Sequence, residues 1–491
     1  MSQTIRFILN DDYIESSLHP GTVVLDFLRQ GQRLTGTKEG CREGDCGACT
    51  VLLGEPGAAG GQVVEYRAVN SCLLPLGDVE GKHLVSIEGL NPSTKADDPV
   101  DALPLTPVQQ QLVDHGAIQC GFCTPGFVVS LTGYLLSARR WDYEAAVDAV
   151  AGNICRCTGY ASIKRAIAEL LAQLSGSQDS EESIDNPSHG HIERLVAFRV
   201  VPEYFLTIPR RLQALTAPER EDPRSRSRTV VAGGTDLFVQ KPEELVKSSL
   251  SFVSKTTELR QIRVDKRRLI LGAGICMEEV KDIPALKDRI PQLVAALPLI
   301  ASTPIRNRAT LGGNIVNASP IGDLTIMLLA LGAVLGLKNG KGTREVPLDR
   351  FFKGYKKLNK KPGELLAWIA LPLEEGFFSF EKVSRRRHLD IASVNSAAWI
   401  SVRDGRIERA RLSAGGVAPI PLFLARSSDC LAGKPFSEEL LEQALTLIHE
   451  EISPISDVRG SEQYKRLLLR QLVLAHFFKL FPEKLHPEVW I

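Results

Sequence analysis

Lys38-Glu39-Gly40-Cys41-Arg42-Glu43-Gly44-Asp45-Cys46-Gly47-Ala48-Cys49-Thr50-Val51 sets three cysteines into one glycine-rich loop, and a fourth follows in Asn70-Ser71-Cys72-Leu73. The resulting spacing, C-x4-C-x2-C-x22-C, is that of a plant-type [2Fe–2S] centre. Gly40, Gly44 and Gly47 let the loop wrap closely and aim backbone N–H groups at sulfur, which is one of the levers on a cluster's potential. A four-cysteine zinc site is the alternative. Structural zinc, however, favours two short C-x2–4-C pairs, whereas here three ligands share one loop. Outward from the loop, Thr4–Leu9 alternates as a strand, a second strand follows, and the break His19-Pro20-Gly21 leads into an amphipathic helix ending near Gln30. Strand-like runs at Thr50–Leu53, Val63–Ala68 and His83–Ile87 complete a small mixed sheet carrying one helix.

A second quartet, Cys120, Cys123, Cys155 and Cys157, has the spacing C-x2-C-x31-C-x-C. It lies in Gln119-Cys120-Gly121-Phe122-Cys123-Thr124-Pro125-Gly126 and Asn153-Ile154-Cys155-Arg156-Cys157-Thr158-Gly159-Tyr160, each of which precedes an expected helix. Free N–H groups and the helix dipole at such positions favour an anionic metal–thiolate centre; the spacing alone leaves zinc open. Four helices are expected here: one capped by Thr106 and opened by Pro107, then Gly126–Ala138, Tyr143–Ala151 and Ser162–Leu174. Of the ten cysteines, only Cys276 and Cys430 stand apart, and they read as ordinary core residues.

A chain of 491 residues is long enough for about three domains at roughly 150 residues each. Its 44% hydrophobic and 24% charged residues are those of a soluble globular protein. A net charge of +1 gives no field for holding a polyanion, so nucleic acid is not an expected partner. The N-terminus has neither a basic leader nor an apolar core, and the apolar stretch Leu324–Leu337 is too short for a membrane span, reading instead as a buried helix running into a strand. Clustered thiols without an export signal imply a reducing, cytoplasmic setting.

Ser175–Gly190 is polar enough to be a linker. Beyond it, Thr229-Val230-Val231-Ala232-Gly233-Gly234-Thr235-Asp236-Leu237 is a strand entering a glycine turn, whose exposed N–H groups can cradle a pyrophosphate. A plain hairpin turn is the alternative, and without G-x-G-x-x-G a Rossmann fold is not indicated. The stretch from Ala309 to Asp323, ATLGGNIVNASPIGD, again offers small residues for close backbone approach, and Asp323 offers an acceptor for a sugar hydroxyl. The C-terminal part reads as strands at Ser396–Val402 and Arg409–Val417, then helices near Glu438–Glu450 and Glu462–Phe481.

KEGCREGDCGACTV, NSCL, QCGFCTPG and NICRCTGY together resemble the paired iron–sulfur domains of the xanthine dehydrogenase and aldehyde oxidase family of molybdenum hydroxylases, over about residues 1 to 174. VVAGGTDL and ATLGGNIVNASPIGD resemble the same family's FAD domain, of the vanillyl-alcohol-oxidase-like superfamily, over about 195 to 486. The resemblance implies an α+β multidomain chain. It consists of a β-grasp ferredoxin domain (1–90), a helical [2Fe–2S] domain (91–174), a linker (175–194), an FAD-binding domain (195–376) and an α+β C-terminal domain (377–491).

It also implies two [2Fe–2S] clusters on the eight clustered cysteines, and FAD held by Val230, Val231, Ala232, Gly233, Gly234, Thr235, Asp236 and Leu237 together with Thr310, Gly313, Asn314 and Asp323. Leu366 would lie near the flavin ring, and Ile300 stands where animal relatives stack a phenylalanine. For the run Arg385-Arg386-Arg387-His388 the resemblance suggests the nicotinamide side of the flavin, while a charge run by itself reads as a solvated loop; Arg306 and Arg308 read either as phosphate neighbours or as exposed arginines. By the resemblance no residue of this chain performs the hydroxylation. A separate molybdopterin-binding large subunit would do so, in a heterotetramer of two small and two large subunits, with NAD as electron acceptor. The order of clusters and flavin on one chain favours the xanthine dehydrogenase branch, which takes hypoxanthine and xanthine to urate. The alternatives are a hydroxylase of aldehydes or N-heterocycles, and a zinc-stabilised module without redox chemistry.

Overall fold

The computed structural model describes residues 4–57, 63–91, 104–138, 140–176, 190–215, 228–254, 256–265 and 267–485. They gather into two compact units: the first takes those within 1–221, 229–252 and 302–308, the second those within 222–228, 253–301 and 309–491. Among the described residues no helix is long and apolar enough to cross a membrane.

The first unit is built on a five-stranded sheet whose spatial order runs Asp12–Ser16, Ile5–Leu9, His83–Val85, Thr50–Pro56, Val64–Asn70, with Ile5–Leu9 and His83–Val85 parallel. Runs such as Arg6-Phe7-Ile8-Leu9 and Val51-Leu52-Leu53 are almost continuously apolar because both faces of the sheet are covered. Phe7, Leu9, Val51 and Leu53 pack with Val24, Phe27 and Leu28 of the helix Val24–Asp26, which continues as a π-helical turn over Phe27–Gly31. Ile8, Leu52, Tyr66 and Val85 on the other face join the core of the helical domain. This is the β-grasp arrangement expected from the sequence.

Four helices follow as read: Pro107–Asp114, Thr124–Ser137, Tyr143–Ala149 and Ala161–Gly176. Thr106 and Gln109 form a full capping box on the first, and Asp142 caps the third. Part of the expected linker, 177–189, lies outside the described residues. His191–Ala197 is a helix, and Leu195, Phe205, Ile208 and Leu212 are buried in the same core as Leu135 and Leu171. Two further pieces of the expected flavin domain also fold into this unit. The parallel pair Thr229–Val231 and Leu250–Phe252 and the short helix Thr303–Arg306 belong to it, with Val231, Phe238 and Leu245 buried beside Cys49, Cys72 and Leu73.

The second unit holds a five-stranded sheet, ordered Gly342–Pro347, Val334–Asn339, Leu365–Pro372, Arg268–Gly272, Ile262–Asp265. The stretch read as a helix entering a strand is that: Asp323–Ala330 is helical and buried, and Val334–Asn339 is a strand. The C-terminal region is a four-stranded sheet in which Val394–Arg403 and Arg406–Gly415 pair antiparallel, as expected. Helices Glu438–Glu451 and Glu462–Leu480 cover it through Leu441, Ala444, Leu469, Val473 and Phe477.

One glycine shows how closely the cysteine-bearing elements approach. Near a helix start alanine ordinarily improves on glycine, yet a Cβ on Gly126 would lie 2.3 Å from the Gly47 carbonyl oxygen and 2.8 Å from Asn153 Nδ2. A backbone atom cannot swing aside. Gly126→Ala is therefore expected to lower stability by about 1–3 kcal/mol, read as a reduced unfolding midpoint of the purified protein; an unchanged or raised midpoint contradicts this packing.

Candidate functional site

The loop from Gly40 to Cys49 follows the helical turn Phe27–Gly31 and enters the sheet at Thr50, and Cys72 sits in the turn Ser71–Leu73 at the end of the neighbouring strand. Gly44 and Gly47 take positive φ, 80° and 67°, as a loop wrapping its ligands requires. The four sulfurs come in two pairs: Cys49 and Cys72 are 3.3 Å apart, and the Cys46 thiol is hydrogen-bonded to Cys41. Cys41 Sγ also accepts from the N–H groups of Glu43 and Asp45, each at 3.3 Å. The bond from Cys46 and these amides hold the Cys41 thiol down at about 5. Likewise the bond shared with Cys72, against the cost of burial, holds Cys49 at about 7. The partner thiol of each pair is pushed up by the same bond.

The second quartet repeats the arrangement. Cys123 is the N-cap residue of Thr124–Ser137, and Cys155 and Cys157 immediately precede Ala161–Gly176. Cys120 and Cys157 are 3.6 Å apart, and Cys123 bonds Cys155. Cys155 also accepts from the Thr158 hydroxyl at 3.2 Å and the Thr158 N–H at 3.5 Å. Burial followed by the bond to Cys155 pushes Cys123 up to about 12. The Phe122 N–H, and then Cys157, lower Cys120.

No three or more His, Cys, Asp or Glu side chains gather round a single ion position among the described residues. The sulfurs instead stand two by two, with amide and hydroxyl donors aimed at the lowered member of a pair. A two-iron centre with four cysteine ligands asks for that donor set, whereas structural zinc asks for four ligands around one point. The residues present fit [2Fe–2S].

The two cysteine loops are bonded to each other. The Ile154 N–H, next to Cys155, donates to the Cys46 carbonyl at 3.0 Å. Asn153 Nδ2 donates to the Gly47 carbonyl at 3.0 Å, and its Oδ1 accepts from Ser130 at 2.8 Å. Asn153 is buried. The sequence reading quoted Asn153 only as part of a motif; an amide two positions before Cys155 was the signal available. Exposure separates the quartets. Cys120 and Cys157 are exposed, with Phe122 47%, Ile154 37% and Tyr160 38% accessible around them, whereas Cys49 and Cys72 are buried.

In the first unit, the turn after Thr229–Val231 places Gly234 at φ 75° and leads into Leu237–Gln240. Gly233, Gly234 and Val231 are buried, whereas Asp236 is exposed. Arg306 and Arg308, for which exposure was one reading, are 4% and 6% exposed.

In the second unit, the Thr310 side chain accepts from the Gly313 N–H at 3.0 Å and caps Leu311–Asn317, and Asn314 Oδ1 accepts from Thr325 at 2.9 Å. A Cβ on Gly312 would lie 2.7 Å from that of Ala273. Ile300 and Leu366 are buried. Asp323, expected to face a sugar, accepts from Lys382 Nζ at 2.8 Å and from Asn395 Nδ2 at 2.5 Å. Burial pushes its carboxyl up against the pull of Lys382. Lys382, which the sequence reading passed over, also donates to the Leu299 carbonyl at 2.7 Å. Arg385, Arg386 and Arg387 form an exposed loop, and His388 Nδ1 lies 3.1 Å from the Pro298 carbonyl.

Four family profiles match in sequence order. They are "2Fe-2S iron-sulfur cluster binding domain" over 9–76, "[2Fe-2S] binding domain" over 86–168, "FAD binding domain in molybdopterin dehydrogenase" over 202–374 and "CO dehydrogenase flavoprotein C-terminal domain" over 379–480. The chain is 30% identical to xanthine dehydrogenase 1 of Arabidopsis thaliana, across 97% of this chain and 39% of that protein. It is 28% identical to aldehyde oxidase 1 of Rattus norvegicus, across 98% and 40%. It thus spans about two-fifths of the length of these relatives. Among solved structures, carbon monoxide dehydrogenase from Hydrogenophaga pseudoflava aligns at 28% identity and a TM-score of 0.48, covering 50% of this chain and 87% of that one. Quinoline 2-oxidoreductase from Pseudomonas putida 86 aligns at 28% and 0.48, covering 52% and 90%. With two [2Fe–2S] domains followed by an FAD-binding and a flavoprotein C-terminal domain, the chain belongs to the molybdenum hydroxylase family.

Proposed function

We propose that this chain is the iron–sulfur and FAD subunit of a cytoplasmic xanthine dehydrogenase, working with a molybdopterin-bearing subunit on another chain, two copies of each, and delivering electrons to NAD. When bound, the clusters carry single electrons and FAD converts between that traffic and the hydride that nicotinamide accepts. This chain's residues hold these groups in order. The quartet with exposed Cys120 and Cys157 is the side offered to the partner, within the apolar collar of Phe122, Ile154 and Tyr160. The inner quartet lies toward the glycine turn. The observation that carries the reading is that Cys49 and Cys72 share one buried cluster with Val231 and Phe238, on either side of Gly233-Gly234.

The turn's N–H groups and Thr235 are assigned to the FAD pyrophosphate, with Val230–Leu237 as the first binding segment. Thr310, Gly313, Asn314, Asp323, Ile300 and Leu366 are assigned to the second. The relatives include an aldehyde oxidase as well as a xanthine dehydrogenase, so hydroxylation of an aldehyde or N-heterocycle is the competing reading. Turnover of the assembled enzyme on xanthine, aldehydes and quinoline separates them.

Metal and sulfide analysis tests the quartets: iron and acid-labile sulfide should each approach about four per chain, whereas near-stoichiometric zinc with little sulfide refutes the assignment. The glycine turn is tested by Gly234→Val. A β-branched residue at φ 75° is strained by at least about 1–2 kcal/mol, so FAD retention should drop while cluster content stays. Unchanged flavin content in a folded variant reduces Gly233-Gly234 to a turn. Activity tests the order of the sites. The chain without its partner should oxidise NADH with an artificial dye and leave xanthine untouched. Cys155→Ser should abolish xanthine-dependent NAD reduction in the complex while sparing NADH-to-dye activity, and equal loss of both with FAD retained contradicts the proposed order.

A further inference from the structure

Within the first unit, the segment Ser302–Arg308 touches the loop holding Cys41 and Cys46, the turn before Cys155 and the glycine turn at Gly233. A Cβ on Gly152, beside Asn153, would lie 2.7 Å from Ser302 Cβ, and one on Gly44 would lie 2.6 Å from Ile305 Cδ1. Thr303 Oγ1 donates to the Asp148 carbonyl at 3.1 Å, and Asn307 Nδ2 donates to the Ala68 carbonyl at 2.9 Å. The segment ends on the buried Arg308. Its Nε and Nη2 both donate to the Gly233 carbonyl, at 3.1 and 2.7 Å, and its Nη1 donates to Asp78 Oδ2 at 2.8 Å.

Asp78 ends the turn Leu76–Asp78 of the ferredoxin domain, shortly after Cys72. It is fully buried and lies 3.5 Å from the ammonium of Lys82, which also pairs with Glu55. Two cations and two carboxylates therefore balance, and of the four only Glu55, with a side chain 30% exposed, reaches water appreciably. Removing one member leaves another charge buried without its counter-ion, which is why such an arrangement is rigid.

The Gly233 carbonyl and the Gly234 N–H belong to one peptide group, and no cis peptide occurs among the described residues. In a trans peptide the two point in opposite directions. A guanidinium clamped on the oxygen thus fixes where the N–H points, at a glycine pair whose backbone would otherwise turn easily. We propose that Arg308, anchored by Asp78, is a positioning residue that orients the Gly233–Gly234 peptide toward a nucleotide diphosphate, linking dinucleotide binding at this turn to the ferredoxin domain. The proposal rests on the turn being an FAD contact, which Gly234→Val tests separately.

The experiment uses the full chain, stripped of flavin and titrated with FAD and, separately, with ADP as a probe of the diphosphate half. Visible circular dichroism and iron content report on the clusters. Arg308→Met should weaken both ligands by a similar factor of about tenfold or more, with both clusters unchanged. Arg308→Lys, which keeps the charge and a donor, should recover part of the affinity, and Asp78→Asn should weaken both ligands. Affinities within twofold of wild type in folded Arg308→Met overturn the proposal, and so does loss of the clusters along with the flavin, the mark of a general strut. Should Arg308→Met not fold, unchanged binding in Arg308→Lys and Asp78→Asn together overturns it. Weak FAD binding in Gly234→Val beside normal binding in the Arg308 variants would leave the flavin reading standing and remove the tether.

Discussion

The hydrogen bond from the Ile154 N–H to the Cys46 carbonyl, with Asn153 bonded to the Gly47 carbonyl beside it, joins two cysteine loops that lie far apart in sequence. Everything around it accommodates that approach. Gly47 and Gly126 lack side chains because a Cβ on either would collide with backbone of the opposing loop. The ferredoxin sheet is apolar on both faces because the helical domain must pack on the face away from Val24–Gly31. Transfer between redox groups depends steeply on their separation, so a separation fixed by main-chain bonds between ligand loops is less subject to drift than one set by two domains resting on each other.

Buried charge does comparable work at the glycine turn. Most ion pairs on this chain are exposed and worth little. The set made by Arg308, Asp78 and Lys82 is different, because these three are nearly inaccessible and Glu55, paired with Lys82, completes the charge balance. In the second unit Asp323, Lys382 and Asn395 form another such set, tying the start of the helix Asp323–Ala330 to the C-terminal sheet. Sets of this kind are poor sources of net stability and good sources of a single geometry, which suits loops assigned to a dinucleotide.

What could be read in advance follows from what is local. The Thr106 cap, the strand within Thr4–Leu9 and the helix entering a strand after Asp323 are each decided within a few residues, and each appeared as expected. The features that the sequence leaves open depend on distant chain. Arg308 and Asp78 are 230 positions apart, so nothing near Arg308 signals burial, and an Arg-Asn-Arg run looks solvated. The helix His191–Ala197 follows a polar stretch and buries only Leu195, too faint a stripe to show that it continues the helical core. The sequence also treats the flavin domain as one contiguous block, because no periodicity reports that 229–252 and 302–308 return to the cysteine-bearing unit.

The bonded loops make a direct demand on spectroscopy. Low-temperature electron paramagnetic resonance of the dithionite-reduced protein should show two distinct [2Fe–2S] signals in equal amount, each broadened or split by the other because their ligand loops are in contact. A single signal, two signals with no mutual interaction, or a protein that is silent and loaded with zinc would contradict a paired relay.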